Sequence, residues 1–147
     1  SVCVGAITTL TDAVSGGIWS ASNANATVAG GIVTGVTAGI DTIAYAVTTV
    51  CGTAVASVVV TVNTVPAVAS ISGPASVFRG GTISLMNATP GGVWGASNTK
   101  ATISSTGVVT GVTTGADTII YTVTNSCGTT SESALGLLFS PAAAPPW

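Results

Sequence analysis

The chain has 147 residues, of which only 4% are charged: two cations, four carboxylates and no histidine, for a formal net charge of −2. Two isolated cations (Arg79 and Lys100) cannot neutralise a row of phosphates, so nucleic acid is excluded as a partner. No apolar run approaches the ~18–20 residues that cross a bilayer as a helix, and stretches such as VASVVVTV (55–62) and ALGLLF (134–139) are far shorter.

In chain order, SVCVG (1–5) reads as a short first strand carrying Cys3. It begins at Ser1 without Met, a basic segment or an apolar segment, as expected of a secreted product whose leader has been removed. GGIWSASN (16–23) sets Trp19 two residues after a Gly-Gly turn. Glycines at 30–31, 35, 39 and 52 then cut the chain into short pieces. The clearest of these is DTIAYAVT (41–48), where Ile43, Tyr45 and Val47 alternate with Thr42, Ala44 and Ala46. A period of two in β-branched and aromatic residues predicts a strand with one buried face. PAVASISGPA (66–75) precedes SVFRG (76–80) and is expected to supply a first edge strand there. GGVWGASN (91–98), ATISSTGVVTGVTTG (101–115) and DTIIYTVT (117–124) follow, and the chain closes on SPAAAPPW (140–147).

The second half therefore repeats the first. Trp19 and Trp94 are 75 positions apart, and a one-residue insertion makes the offset 76 from Gly31/Gly107 onward. Two copies at this period nearly fill the chain, which predicts tandem domains. No window offers a useful 3.6-residue apolar period. Six or seven short strands per copy with frequent turns predict an all-β protein of two sandwiches. The expected division is domain 1 over 1–64, domain 2 over 65–139 and a Pro/Ala tail over 140–147. One Trp per copy can span a thin core, burying about 150–250 Å², so Trp19, Trp94, Tyr45 and Tyr121 are the expected core anchors. A sugar-stacking role for the tryptophans is the rival reading, which their recurrence in core-like contexts disfavours.

WSASN–ATV–GIVTGVTAG–TIAY in copy one and WGASN–ATI–GVVTGVTTG–TIIY in copy two resemble the bacterial immunoglobulin-like domain of group 2. That family occurs in invasin- and intimin-type adhesins and other secreted bacterial surface proteins. The resemblance covers both copies. It implies immunoglobulin-like sandwiches at a bacterial surface and a role in adhesion, but the matching positions are structural and name no ligand.

Of the three cysteines, Cys3 and Cys51 both fall in copy one, and copy two keeps Cys127 but has Phe78 in place of Cys3. The economical expectation is a Cys3–Cys51 disulfide, which implies an oxidising, extracellular or periplasmic compartment. Cys127 then has two readings: a buried free thiol against Phe78, or a bond to another subunit. The cysteine spacings contain no metal-binding C-x-x-C, and no cofactor is expected.

Acid–base chemistry needs titratable groups placed together. Asp12, Asp41, Asp117 and Glu132 are scattered, and no nucleophile motif is present. The expectation is not an enzyme. Asp41 and Asp117 recur at equivalent positions after a glycine and read as turn residues that bond nearby N–H groups.

A surface this poor in charge suits a chain covered by neighbours. Copy one begins at Ser1 and Val2 without the leader that precedes copy two. The tail, aligned on Pro141 and Pro66, resembles a piece of that leader. The expectation is a structural subunit of an extracellular fibre, a homopolymer assembled head-to-tail. Pro141, Ala142, Ala143, Ala144, Pro145, Pro146 and Trp147 of one copy would cover the open edge of domain 1 in the next, near Ser1 and Val2. The alternative is a stalk or adhesin fragment holding a glycan or host-surface ligand on its loops.

Overall fold

A computed structural model describes residues 1–141. The chain divides into two compact units, Ser1–Thr64 and Val65–Trp147. In the first unit the strands are β1 (Val2–Cys3), β2 (Ile7–Thr9), β3 (Ile18–Ala21), β4 (Ala26–Ala29), β5 (Ile32–Gly35), β6 (Gly39–Thr49) and β7 (Gly52–Asn63). They form a sheet in the order β1-β7-β6-β3 and a second in the order β2-β5-β4. The second unit repeats the plan with β8 (Ser76–Phe78), β9 (Thr82–Ser84), β10 (Val93–Ala96), β11 (Ala101–Ile103), β12 (Val108–Gly111), β13 (Gly115–Asn125) and β14 (Gly128–Ser140). Its sheets run β8-β14-β13-β10 and β9-β12-β11. Each unit is a β-sandwich of one four-stranded and one three-stranded sheet.

Alternation along β6 and β13 decides which side chains close each core. Ile43 and Ile119 are fully buried, and Tyr45 and Tyr121 are 8% and 6% exposed. Val2, Ala26, Val33, Val60 and Val62 complete the first core, with Trp19 and Leu10 packed against it. Val77, Leu85, Ala101 and Val109 complete the second, with Trp94 and Ile71 packed against it. The tryptophans are thus half-buried lids, each tilted on the neighbouring tyrosine ring with centroids 4.7 Å apart.

The repeated Gly-Gly phrase has a two-part cause. Gly16 and Gly91 take φ of +85° and +78°, a left-handed backbone that favours glycine. A Cβ on Gly17 or Gly92 would fall on the ring of Tyr45 or Tyr121. Those rings approach because the Tyr45 hydroxyl donates to Val14 O (2.8 Å) and accepts from Gly17 N–H (2.8 Å). Tyr121 does the same with Thr89 O (2.6 Å) and Gly92 N–H (2.9 Å).

The inserted residue has a local consequence. Gly30 and Gly31, both at positive φ, turn β4 into β5 in two residues, as a type I′ hairpin requires. In copy two Ser104 closes a longer turn by accepting from Gly107 N–H.

Candidate functional site: an uncovered trough on the first unit

Asp41 and Asp117 are the buried charged residues among those described, 1% and 2% exposed. Both bond backbone N–H groups as expected, but they lie in strands β6 and β13 rather than in turns. Asp41 accepts from Ser22 N–H (2.9 Å), Ser22 Oγ (2.9 Å), Asn23 N–H (3.2 Å) and Ala26 N–H (3.0 Å). It thereby ties the β3–β4 connection to β6 across 15 to 19 residues. Asp117 accepts from Ser97 Oγ, and from the N–H groups of Asn98, Ala101 and Thr118. Burial pushes the Asp41 carboxyl up, but the Ser22 hydroxyl and the three backbone donors outweigh it and leave the pKa below the ordinary value. A carboxylate that accepts four hydrogen bonds from its own unit acts as a structural clamp. Among the described residues no three His, Cys, Asp or Glu side chains gather as metal ligands would. No helix among them is long and apolar enough to cross a membrane.

The two units differ most where the leader of the second unit lies. There Ser72 and Met86 exchange backbone hydrogen bonds of 2.9 and 2.8 Å. Ala69 donates its N–H to Thr89 Oγ1 (2.9 Å) and accepts from Asn87 Nδ2. Ile71 packs on the core, and Val65 rests against Gly128 at the tip of the β13–β14 hairpin. The stretch read as an edge strand thus makes a single bridge, Ser72↔Met86, rather than a strand; Pro66 and Pro74 remove two donors that a ladder would need.

In the first unit the matching surface is open among the described residues. Leu10 donates to Gly31 O as Leu85 does to Gly107 O, both at 2.8 Å, so Thr11 stands in the place of Met86. Thr11 has no backbone partner among the described residues. A groove of about 510 Å³ runs from the β6–β7 turn along Val47, Tyr45 and Val14. It continues into a second of about 260 Å³ lined by Leu10, Trp19, Ile43 and Val58, and Asp12, Tyr45 and Ala56 line both.

Burial records the same contrast. Asp12, Val14, Cys51, Gly52, Ala54 and Ala56 are exposed, whereas the matching Asn87, Thr89, Cys127, Gly128, Thr130 and Glu132 are half-buried. Val58 is 44% exposed on the wall of the opening, while its counterpart Ala134 packs on the second core. β7 shows no alternation until Val60, because the face that β14 turns toward cover is uncovered here.

The cysteines require a correction. Cys3 and Cys127 are disulfide-bonded and Cys51 is an exposed free thiol, so the Cys3–Cys51 bond does not form and Cys127 is not the free thiol. Cys3 pairs in register with Asn63 at one end of the 12-residue β7, whereas Cys51 sits in the turn before its other end. At about 3.3 Å per residue those ends lie about 35 Å apart, against a Cα separation of at most about 7 Å in a disulfide. The signal was in the sequence: TVCGT and NSCGT each separate two long strand-like runs, which puts both cysteines at hairpin tips. Phe78, expected to cover Cys127, is 55% exposed.

Of the other residues expected to act in assembly, Val2 is 5% exposed in the core and Ser1 is exposed. Pro141 is exposed, and Ala142, Ala143, Ala144, Pro145, Pro146 and Trp147 lie outside the described residues.

No protein-family model matches the chain, and no curated protein matches it. Among solved structures it is similar to an I-band fragment of titin, I67–I69, at 14% identity and a TM-score of 0.46, covering 95% of this chain and 61% of that one. It is also similar to extracellular domains 3–5 of Drosophila OTK at 17% identity and a TM-score of 0.45, covering 85% of this chain and 51% of that one. The domains 1–6 structure of the surface layer protein SbsC matches at 17% identity and a TM-score of 0.33, covering 86% of this chain and 20% of that one.

Proposed function

We propose that this chain is a structural subunit of an extracellular bacterial fibre or surface appendage, of the kind its resemblance to group 2 immunoglobulin-like repeats implies. Copies join head-to-tail: the C-terminal tail of one covers the open side of the first unit of the next. The observation that carries the reading is the trough on the first unit, at the position where the second unit lays its own residues 65–72. A donor surface that differs from the acceptor surface gives an open filament or a ring. The disulfide-bonded Cys3 and Cys127 support an oxidising compartment. The chain's work is then mechanical, without an active site, and its partner is itself.

Negative-stain electron microscopy of the purified chain at neutral pH tests this. Regular filaments that vanish when residues 140–147 are deleted are the expected result. Dispersed two-lobed particles from the undeleted chain, or filaments that survive the deletion, would overturn it.

A further inference from the structure

Each sandwich turns one broad face away from its own core, the outward side of the four-stranded sheet. In the first unit the strand registers place Ile18, Ala46 and Val55 in one row of that face, and Ala44 between Ser20 and Ser57 in the next. Val59 and Ile40 extend it along β7 and β6, beside Thr42 and Thr61. Ile18, Ile40, Val55 and Val59 are 62–75% exposed. The outward positions of β3, of β6 and of β7 from Thr53 to Thr61 are all Ile, Val, Ala, Thr or Ser. Asp12 and Asp41, the charged side chains of this unit, lie at the trough and in the core. A contiguous apolar patch rimmed by polar side chains marks a contact surface, and a sheet face meant for water ordinarily carries charge. Openness here belongs to the repeat and not to the leader: the second unit has residues 65–72 laid on it, yet leaves Val93 71% exposed where Ile18 is 75%. The second unit's face is wetter, however. Thr122 stands there for Ala46 and Ser131 for Val55, and their hydroxyls bond each other at 2.8 Å. The first unit keeps the register and makes that pair apolar.

We infer that this face of the first unit is the interface for the same face of a second copy, packed sheet against sheet. Three features select a like partner. An uncharged face offers nothing for the charges of a different partner to complement, and sets no like charges against each other across a twofold axis. Its relief is self-complementary: Ala44 and Ala46 on the central strand are half-buried between the taller Ile18 on β3 and Val55 and Val59 on β7. A ridge of one copy therefore has a furrow to enter in the other. The area suffices as well. At about 3.3 Å per residue and about 4.8 Å between strands, β6 and β7 with β3 beside them span about 30 Å by 15 Å. Two copies then cover about 900 Å² in projection, and side-chain relief brings the accessible area to the ~1,000–1,200 Å² at which specific interfaces begin. That size gives a weak, reversible dimer. The contact is isologous and closes at two copies, with the sheets about 10 Å apart and their strands within about 30° of one another. It uses neither the trough nor the tail, so it stands apart from the head-to-tail reading; in a fibre it would pair two rows of subunits side by side.

Sedimentation equilibrium of the full chain tests this over about 1–300 µM at neutral pH, with Cys51→Ser as background to remove thiol cross-linking. The expected result is a reversible monomer–dimer equilibrium within that range. Ala46→Thr with Val55→Ser, the pair the second unit carries, should weaken it at least tenfold. Ala46→Lys and Ala46→Glu should each be monomeric alone and pair again when mixed, which misfolded variants would not do. Thr122→Lys, at the matching position of the second unit, should leave the dimer intact. A parent chain monomeric throughout, a dimer indifferent to Ala46→Lys, one lost equally with Thr122→Lys, or a Lys–Glu mixture that stays monomeric would overturn the interface. Where head-to-tail filaments form, the face appears as filaments two subunits wide that Ala46→Lys thins to one. Filaments one subunit wide from the parent chain would overturn the face and leave head-to-tail assembly standing. Dimers without filaments would support the face and overturn the head-to-tail reading.

Discussion

Replacing Asp41 by Asn is nearly isosteric and tests whether the buried carboxylate is a clamp. The carboxylate holds four hydrogen bonds at 2.9–3.2 Å. An amide keeps its oxygen toward Ser22 and Asn23 but turns its NH₂ toward Ala26 N–H, so two donors face each other at a site 1% exposed. Losing a hydrogen bond to a charged group costs about 1.5–3 kcal/mol, and the three that remain lose their charge assistance. The sum is about 3–5 kcal/mol, and each 1.4 kcal/mol is about tenfold in an equilibrium. Amide hydrogen exchange at neutral pH reads this residue by residue. Ile43 in β6 should exchange at least about 100-fold faster in Asp41→Asn, while Ile119 in β13 serves as the internal reference. The acid dependence follows from the same carboxylate. Its folded pKa is lowered from the ordinary 3.8, so its stabilisation is fully present above that value and is lost as pH falls through the lower folded pKa. The gap in protection between parent and Asp41→Asn should therefore narrow only below about pH 4. Protection of Ile43 unchanged within threefold at neutral pH would refute the clamp. A gap that closes between pH 5 and 8 would refute the assignment of the acid dependence to Asp41.

Two other outcomes follow from the packing. Gly92→Ala places a methyl on the Tyr121 ring and should displace the hydroxyl that joins Thr89 O to Gly92 N–H. A cost of about 2–4 kcal/mol is expected from overpacking plus a lost hydrogen bond, read as a lower urea midpoint with an unchanged slope. Gly95→Ala, where a Cβ meets nothing within 4 Å, is the control. A maleimide added to the native, unreduced chain should label one thiol, Cys51, and three after reduction and unfolding, counted by intact mass. Labelling at Cys3 or Cys127 before reduction would contradict the disulfide assignment.

The sequence alone determined the tandem repeat and the all-β class, because both are carried by local pattern. Alternation in DTIAYAVT and DTIIYTVT fixes which residues of β6 and β13 face inward, and glycine positions fix where strands end. It also placed the tryptophans next to obligatory glycines. Tertiary structure decided the reason for the second glycine of each pair, which is the approach of a tyrosine ring 28 or 29 residues away. It decided that Asp41 and Asp117 are buried clamps, since all their donors but Thr118 N–H lie 15 to 20 residues off and come together only when the sheets close. The disulfide pattern belonged to it too: proximity in copy one suggested Cys3 with Cys51, yet β7 holds them at opposite ends. The trough was half legible. The leader before copy two could be aligned with the tail, but only packing revealed where it lies. Exposure of β7 up to Val59 and of Val14 depends on what covers them, and cover is a property of surfaces rather than of local pattern.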